Sequence, residues 1–237
     1  MGLFDFLKSK KTSESTESEK VSVDFKSALD EIEKAVYSTL KPIGFKKRGR
    51  TFNREVEKGI IQVIHFQSGQ YVQNEIPGLN LNLKGKFTIN LGVYVATLNQ
   101  VYYPEDDKTF IKEYECHIRT RLPALSKGQD YWWTIKNSAA EIEKEIIEEL
   151  KTFGLTWFDK IDSKEKIILN LGQPHYNSSP RDQFDKALMI WSDDKEKGAE
   201  LINEYYHSLK QNISGHKEFI ADIAKELGVK IETSPNR

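Results

Sequence analysis

Lys86-Phe87-Thr88-Ile89-Asn90-Leu91-Gly92-Val93-Tyr94-Val95-Ala96 is the stretch that decides the fold class. Phe87, Ile89, Leu91, Val93 and Val95 share one parity; Lys86, Thr88, Asn90, Gly92 and Tyr94 share the other. Successive side chains on a strand point to opposite faces, so this pattern predicts a strand with one face on a core. Residues 114–122 repeat the alternation, with Tyr114, Cys116, Ile118 and Leu122 against Glu115, His117, Arg119 and Arg121. Upstream, residues 45–56 and 60–67 flank Glu57-Lys58-Gly59, a hairpin signal.

Helical periodicity brackets these strands. Phe25, Ala28, Leu29, Ile32, Val36 and Leu40 form one apolar stripe that Pro42 and Gly44 stop. Ser138-Ala139-Ala140-Glu141 matches a capping box, in which two side chains satisfy free backbone donors. Ile142, Ile146, Leu150 and Phe153 continue that second helix, and Gly154 is its expected end. The sum is an α+β fold: an antiparallel sheet of about four or more strands with helices packed on one face. An all-helical C-terminal extension follows, with helices expected over 163–170, 181–191, 196–211 and 216–227. The organisation is a short apolar tip at 1–8, a linker at 9–21 and the α+β domain at 22–161. The helical region takes 162–237. The linker is Ser, Thr, Glu and Lys with nothing to bury, which predicts a flexible tether.

Of the 237 residues, 38% are hydrophobic, enough to fill a core, and the net charge is only -1. Near-neutrality gives no general pull toward nucleic acid or an anionic membrane. Cys116 stands alone, so no intramolecular disulfide is possible and a reducing compartment fits. The start Leu3-Phe4-Asp5-Phe6-Leu7 lacks a signal-peptide pattern, and no apolar run approaches the ~20 residues that span a bilayer. Cytoplasmic residence is the expectation. Leu3, Phe4, Phe6 and Leu7 with the lysines behind them allow at most transient membrane contact through residues 1–8. Burying four apolar side chains roughly offsets the ordering cost.

Catalytic signatures are missing. Gly85-Lys86 is followed by Phe87 where a P-loop needs Ser or Thr, and no G-x-S-x-G or G-x-G-x-x-G occurs. The histidines at 65, 117, 175, 207 and 216 form no zinc-helix pair, so no metal and no cofactor are expected. The candidate ligand-binding set is the polar row of the sheet: His65, Asn90, His117, Arg119 and Arg121, with Trp132 or Trp133 as a wall. Two guanidiniums grip a phosphate or carboxylate bidentately, and a histidine shuttles protons near neutral pH. The plainer reading is the solvated face of an ordinary sheet, its arginines paired to acids. A Cys116 nucleophile with His117 as base is disfavoured, because neighbours on a strand face apart. Lys46, Lys47, Arg48, Arg50 and Arg54 make a basic patch on the 41–58 hairpin, with Phe45 and Phe52 available to stack bases. A solvated strand neutralised by acids elsewhere is the simpler account, since the chain as a whole is not basic.

The middle of the chain resembles a bacterial family, domain of unknown function 4304. The resemblance rests on Lys41-Pro42-Ile43-Gly44-Phe45-Lys46-Lys47-Arg48-Gly49-Arg50-Thr51-Phe52 and Gln62-Val63-Ile64-His65-Phe66-Gln67. It continues through Phe87–Val93, Glu115-Cys116-His117-Ile118-Arg119, Arg121-Leu122 and Trp132-Trp133, spanning about 24–160. It implies no chemistry. Members of such bacterial families sometimes sit beside toxin genes as immunity proteins. The expected partner is therefore a protein of unknown identity, bound without catalysis, and the asymmetric charge surfaces suit its steering. A small-ligand protein or enzyme using the His/Arg face is the alternative, and nucleic-acid binding through the basic hairpin the second.

Overall fold

The computed structural model describes residues 24–69, 72–73, 81–106, 108–135, 139–176, 179, 181–210 and 214–232. The tip and the linker, expected at 1–8 and 9–21, lie outside them. Helix α1, Phe25–Leu40, starts where the Asp24 carboxylate accepts the backbone N–H groups of Lys26 and Ser27, closing two donors the helix leaves open. Its stripe is buried from Ala28 to Leu40. Strands β1 (Lys46–Arg48), β2 (Thr51–Glu57) and β3 (Ile60–Ser68) follow. The expected single strand over 45–56 is thus two strands. Gly49 takes φ 57° between them, a left-handed turn that a side chain resists.

A small separate ladder pairs β4, Val72–Gln73, with β5, Leu81–Asn82. The long strand β6, Lys86–Val95, lies inside the main sheet between β3 and later strands, and it is buried on both faces rather than on one. Helix α2, Ala96–Tyr102, leaves its end; strand β7, Ile118–Arg121, returns along it and runs into the short helix α3, Leu122–Ser126. Strand β8, Trp133–Thr134, pairs with the start of β6. The order is β1-β2-β3-β6-β7 with every pair antiparallel.

The strand expected over 114–122 is shorter than its alternation suggests. Glu113–Glu115 forms a 3-10 turn and only Ile118–Arg121 pairs with β6. Helix α4, Ala139–Glu149, packs beside α1, and the chain passes through a π-turn at Leu150–Gly154 into α5, Leu155–Asp159. Gly154 therefore does not end that helix. It sits in helical conformation against Leu122 and Leu91, a contact in which its missing side chain leaves room for the sheet.

Together α1, α3, α4 and α5 cover the face of Phe66, Phe87, Ile89, Leu91 and Val93, where Phe66, Phe87 and Trp133 stack in sequence. The C-terminal helices are α6 (Lys164–Asn170), α7 (Asp182–Asp193), α8 (Lys195–Ser208) and α9 (Ser214–Glu226). Their apolar faces continue the same cluster, from Leu29 to Phe184, Ile202 and Ile220. The fold class read from the sequence, α+β with helices on one face and a helical C-terminal region, describes this structure.

Candidate functional site

The second face of the sheet divides in two. One half carries Val63 and Tyr94, onto which the 103–117 segment lays Ile111 and Cys116 as a small second core. Gly92 makes this possible: a Cβ there would stand 2.6 Å from the Cys116 Sγ. Cys116 therefore packs on the polar-row side of the sheet. Ile118 packs in the main core, so the expected pairing of the two on one face does not hold. The reason is the 3-10 turn, which rotates the chain before the strand begins.

The other half is open. Pairing register sets Thr51 opposite His65, His65 opposite Asn90, and Asn90 opposite Arg121, so one polar row crosses four strands. The Thr51 Oγ1 lies 3.0 Å from His65 Nδ1. The Asn90 amide donates to Gln67 Oε1 at 2.8 Å and accepts from Arg121 Nε at 3.2 Å. Arg121 also donates to Asp130 at 2.6 Å and lies over the Trp132 ring, 5.4 Å from its centroid. Arg119 is held by Glu113 at 2.6 Å. His65, Gln67, Asn90, Lys112, Arg119 and Arg121 line a cleft of about 530 Å³. Burial is the main cause that pushes the His65 pKa down, so its ring is neutral at pH 7.

Five of the seven expected ligand-binding residues meet here, and two do not join them. His65, Asn90, Arg119 and Arg121 line the cleft, and Trp132 stands beside Arg121 at its rim. Trp133 is 1% exposed in the core on the opposite face, its indole N–H donating to Glu145, so it is no wall of this cleft. His117 precedes the strand and turns into a neighbouring cavity of about 390 Å³. There its Nδ1 accepts the Val95 backbone N–H at 3.1 Å, and burial lowers its pKa to about 4. Burial also raises the Cys116 thiol well above its usual range, and with His117 Nδ1 engaged the two form no nucleophile–base pair. Among the described residues no group of three His, Cys, Asp or Glu side chains could hold a metal ion.

Four of the five residues of the basic patch are engaged. Lys47 and Arg50 meet the buried Glu33 at 3.1 Å each, and Arg54 donates to Gln62 and lies over Phe45. Arg48 lies over Phe110, and Lys46 is exposed. Phe45 and Phe52 are 1% and 0% exposed, so neither ring can stack on a base as the patch reading required.

Gln67, Lys112 and Glu113 were not anticipated. Gln67 was within reach, since it stands two residues beyond His65 and shares its face. Lys112 and Glu113 arrive on a turn that only the packing of the 103–117 segment places.

Residues 36–160 match the family model described as Domain of unknown function (DUF4304). The chain belongs to that family. No curated protein and no solved structure matches it. The row of Thr51, His65, Asn90 and Arg121 lies wholly within the DUF4304 region, whereas helices α6 to α9 lie beyond it. Among the described residues no helix is long and apolar enough to cross a membrane.

Proposed function

We propose that this DUF4304 protein is a binding module, and that the open half of its sheet takes an anionic group. The observation that carries the reading is the charge of the cleft: Lys112, Arg119 and Arg121 line it, against Glu113 on Arg119 and Asp130 on Arg121, which leaves a positive balance. Two of these cations are held in place by hydrogen bonds, so little ordering entropy opposes binding. Arg121 presents a planar fork suited to carboxylate or phosphate oxygens, and neutral His65 and Gln67 supply further hydrogen-bonding groups beside it. Binding is favoured over turnover because the hydroxyl beside His65, that of Thr51, is 1% exposed and out of a ligand's reach.

Inorganic phosphate and citrate are the probes, with thermal unfolding of the full chain as the readout. At ~100 times its dissociation constant a ligand adds about 2.7 kcal/mol, a rise of roughly 5–10 °C for a chain of this size. The control is R121Q. It removes the ion pair to Asp130, whose side chain is 56% exposed, together with the bond to Asn90 and the contact with Trp132, none of them in the main core, so the fold bears the change. We expect R121Q to weaken the stabilisation about tenfold or more in concentration. Absence of stabilisation in the wild type, or an equal rise in R121Q, would sink the reading.

A second reading makes the anion a side chain of a protein partner, as an immunity role requires. It is favoured by Tyr114, 71% exposed at the edge of the cleft, since aromatic residues beside arginines anchor protein interfaces. Co-expression with the product of a neighbouring gene tests it: Y114A together with R121Q should release the partner or restore its toxicity, and unchanged protection rejects the role.

A further inference from the structure

A cavity of about 390 Å³ opens where the DUF4304 region meets helix α7. Its lining comes from α2, from the 103–117 segment, from Arg119 of β7, and from Ser179, Arg181 and Asp185 at the approach to α7 and in its first turn, so it is complete only when the C-terminal helices are docked. It sits next to the cleft but holds a different set of groups. We propose that this cavity binds a small molecule bearing one carboxylate, which Arg181 grips and Asn99 and His117 hydrogen-bond. This inference does not rest on the cleft.

Three polar groups here lack a hydrogen-bond or ion-pair partner among the described residues. The Arg181 guanidinium lies over the rings of Tyr102 and Phe219, at 4.6 and 5.3 Å from their centroids, and makes no ion pair among the described residues. Stacking positions it, and a guanidinium held in this way recognises a planar carboxylate. Asn99 is 3% exposed, and its Nδ2 has no hydrogen-bond partner among the described residues. An unpaired amide of this kind costs stability unless something meets it. His117 is the third. Its Nδ1 accepts from Val95, and the neutral ring therefore carries its proton on Nε2, a donor with no partner among the described residues. All three residues line the one cavity.

The charge around them selects a monoanion. Arg119, Lys108 and Arg181 face Asp106, Glu115 and Asp185 across the lining. Lys108 is paired to Asp106 and Glu115, Arg119 to Glu113, and Asp185 takes the Tyr102 hydroxyl. A phosphate dianion would meet a balanced field with the buried Asp185 carboxylate in the same lining, whereas one carboxylate needs only Arg181, which forms no ion pair among the described residues. Tyr102 and Tyr103 at the same wall favour an aromatic or other flat acid.

Benzoate is the probe and benzamide, its neutral isostere, the control, each titrated into the full chain by calorimetry to about 10 mM, which detects affinities in the millimolar range. The expected result is binding of benzoate and not of benzamide, weakened about 10- to 100-fold in R181Q and preserved in R121Q. N99L separates binding from structure: it replaces an unpaired amide by an apolar group of similar shape, so its Tm should hold or rise while benzoate affinity falls about 5-fold or more. Failure of benzoate to bind, equal binding of benzamide, or full affinity in N99L overturns the proposal. Loss in R121Q rather than R181Q also overturns it, by moving the acid into the cleft. Where R181Q does not fold, N99L decides alone.

Discussion

His117 shows how a single ring can be withdrawn from proton chemistry. It packs at a tilt against Tyr94, receives the Val95 N–H at Nδ1, and has its pKa lowered to about 4 because burial penalises its charged form. An unfolded histidine titrates near 6.5, so between that pH and about 4 the unfolded chain binds the extra proton. The contribution of His117 to stability is therefore complete above pH 6.5 and is lost as pH falls toward 4. The full effect is at most roughly 3 kcal/mol, and less in practice because the ring is not wholly enclosed. H117Q keeps an acceptor for Val95 and cannot titrate in this range. Urea unfolding at pH 7 and pH 5 should show a smaller loss for H117Q than for the wild type; parallel losses would mean that His117 is not the group responsible. His65 shifts in the same direction and leaves a residual slope in both chains.

At the scale of elements, the decisive contact joins β6 to the 103–117 segment. The segment rides close enough that a Cβ on Gly92 would meet Cys116 Sγ at 2.6 Å and Cys116 Cβ at 2.7 Å. Asn53 fastens its middle, donating to the Ile111 carbonyl at 2.9 Å and accepting the Ile111 N–H at 2.7 Å. This strap covers half of the polar face and carries Glu113 to the edge of the open half, where it positions Arg119. G92A should therefore cost about 1–3 kcal/mol or more, measured by denaturant unfolding, since neither backbone can retreat without losing pairing. C116A added to G92A should recover only part of the loss, because the Cβ at 2.7 Å remains. Complete recovery would show that the sulfur alone sets the spacing.

Across the whole molecule, one apolar cluster runs from α1 through the sheet to α9, and rings stack across the joint: Trp157 on Tyr176 and Tyr102 on Phe219. Shared burial of this kind couples the α+β domain to the helices that follow it. The full chain should unfold in a single transition, with tryptophan fluorescence and far-UV circular dichroism giving the same midpoint. A chain ending at residue 161 should lose cooperative unfolding, because Phe158 and Ile161 would then face water. Two resolved transitions in the full chain would contradict this coupling.

The period-two run of β6 and the stripe of α1 were legible in the sequence because a half-buried strand and an amphipathic helix write their burial directly into residue order. The row His65, Asn90, Arg119 and Arg121 was legible for the same reason: parity alone puts each on the polar face. Parity failed at Cys116 and His117, which follow a 3-10 turn in place of the strand, and the helix-ending glycine signal failed at Gly154, where a π-turn carried the helix onward. It was silent on which half of the polar face is covered. That half depends on contacts such as Asn53 with Ile111, 58 residues apart, and on Gly92 leaving space for Cys116. The pairing of Arg181 with Asn99 and His117 in one cavity was beyond local reading altogether. Periodicity records how a segment meets the core, whereas tertiary packing alone decides which distant segments share a wall.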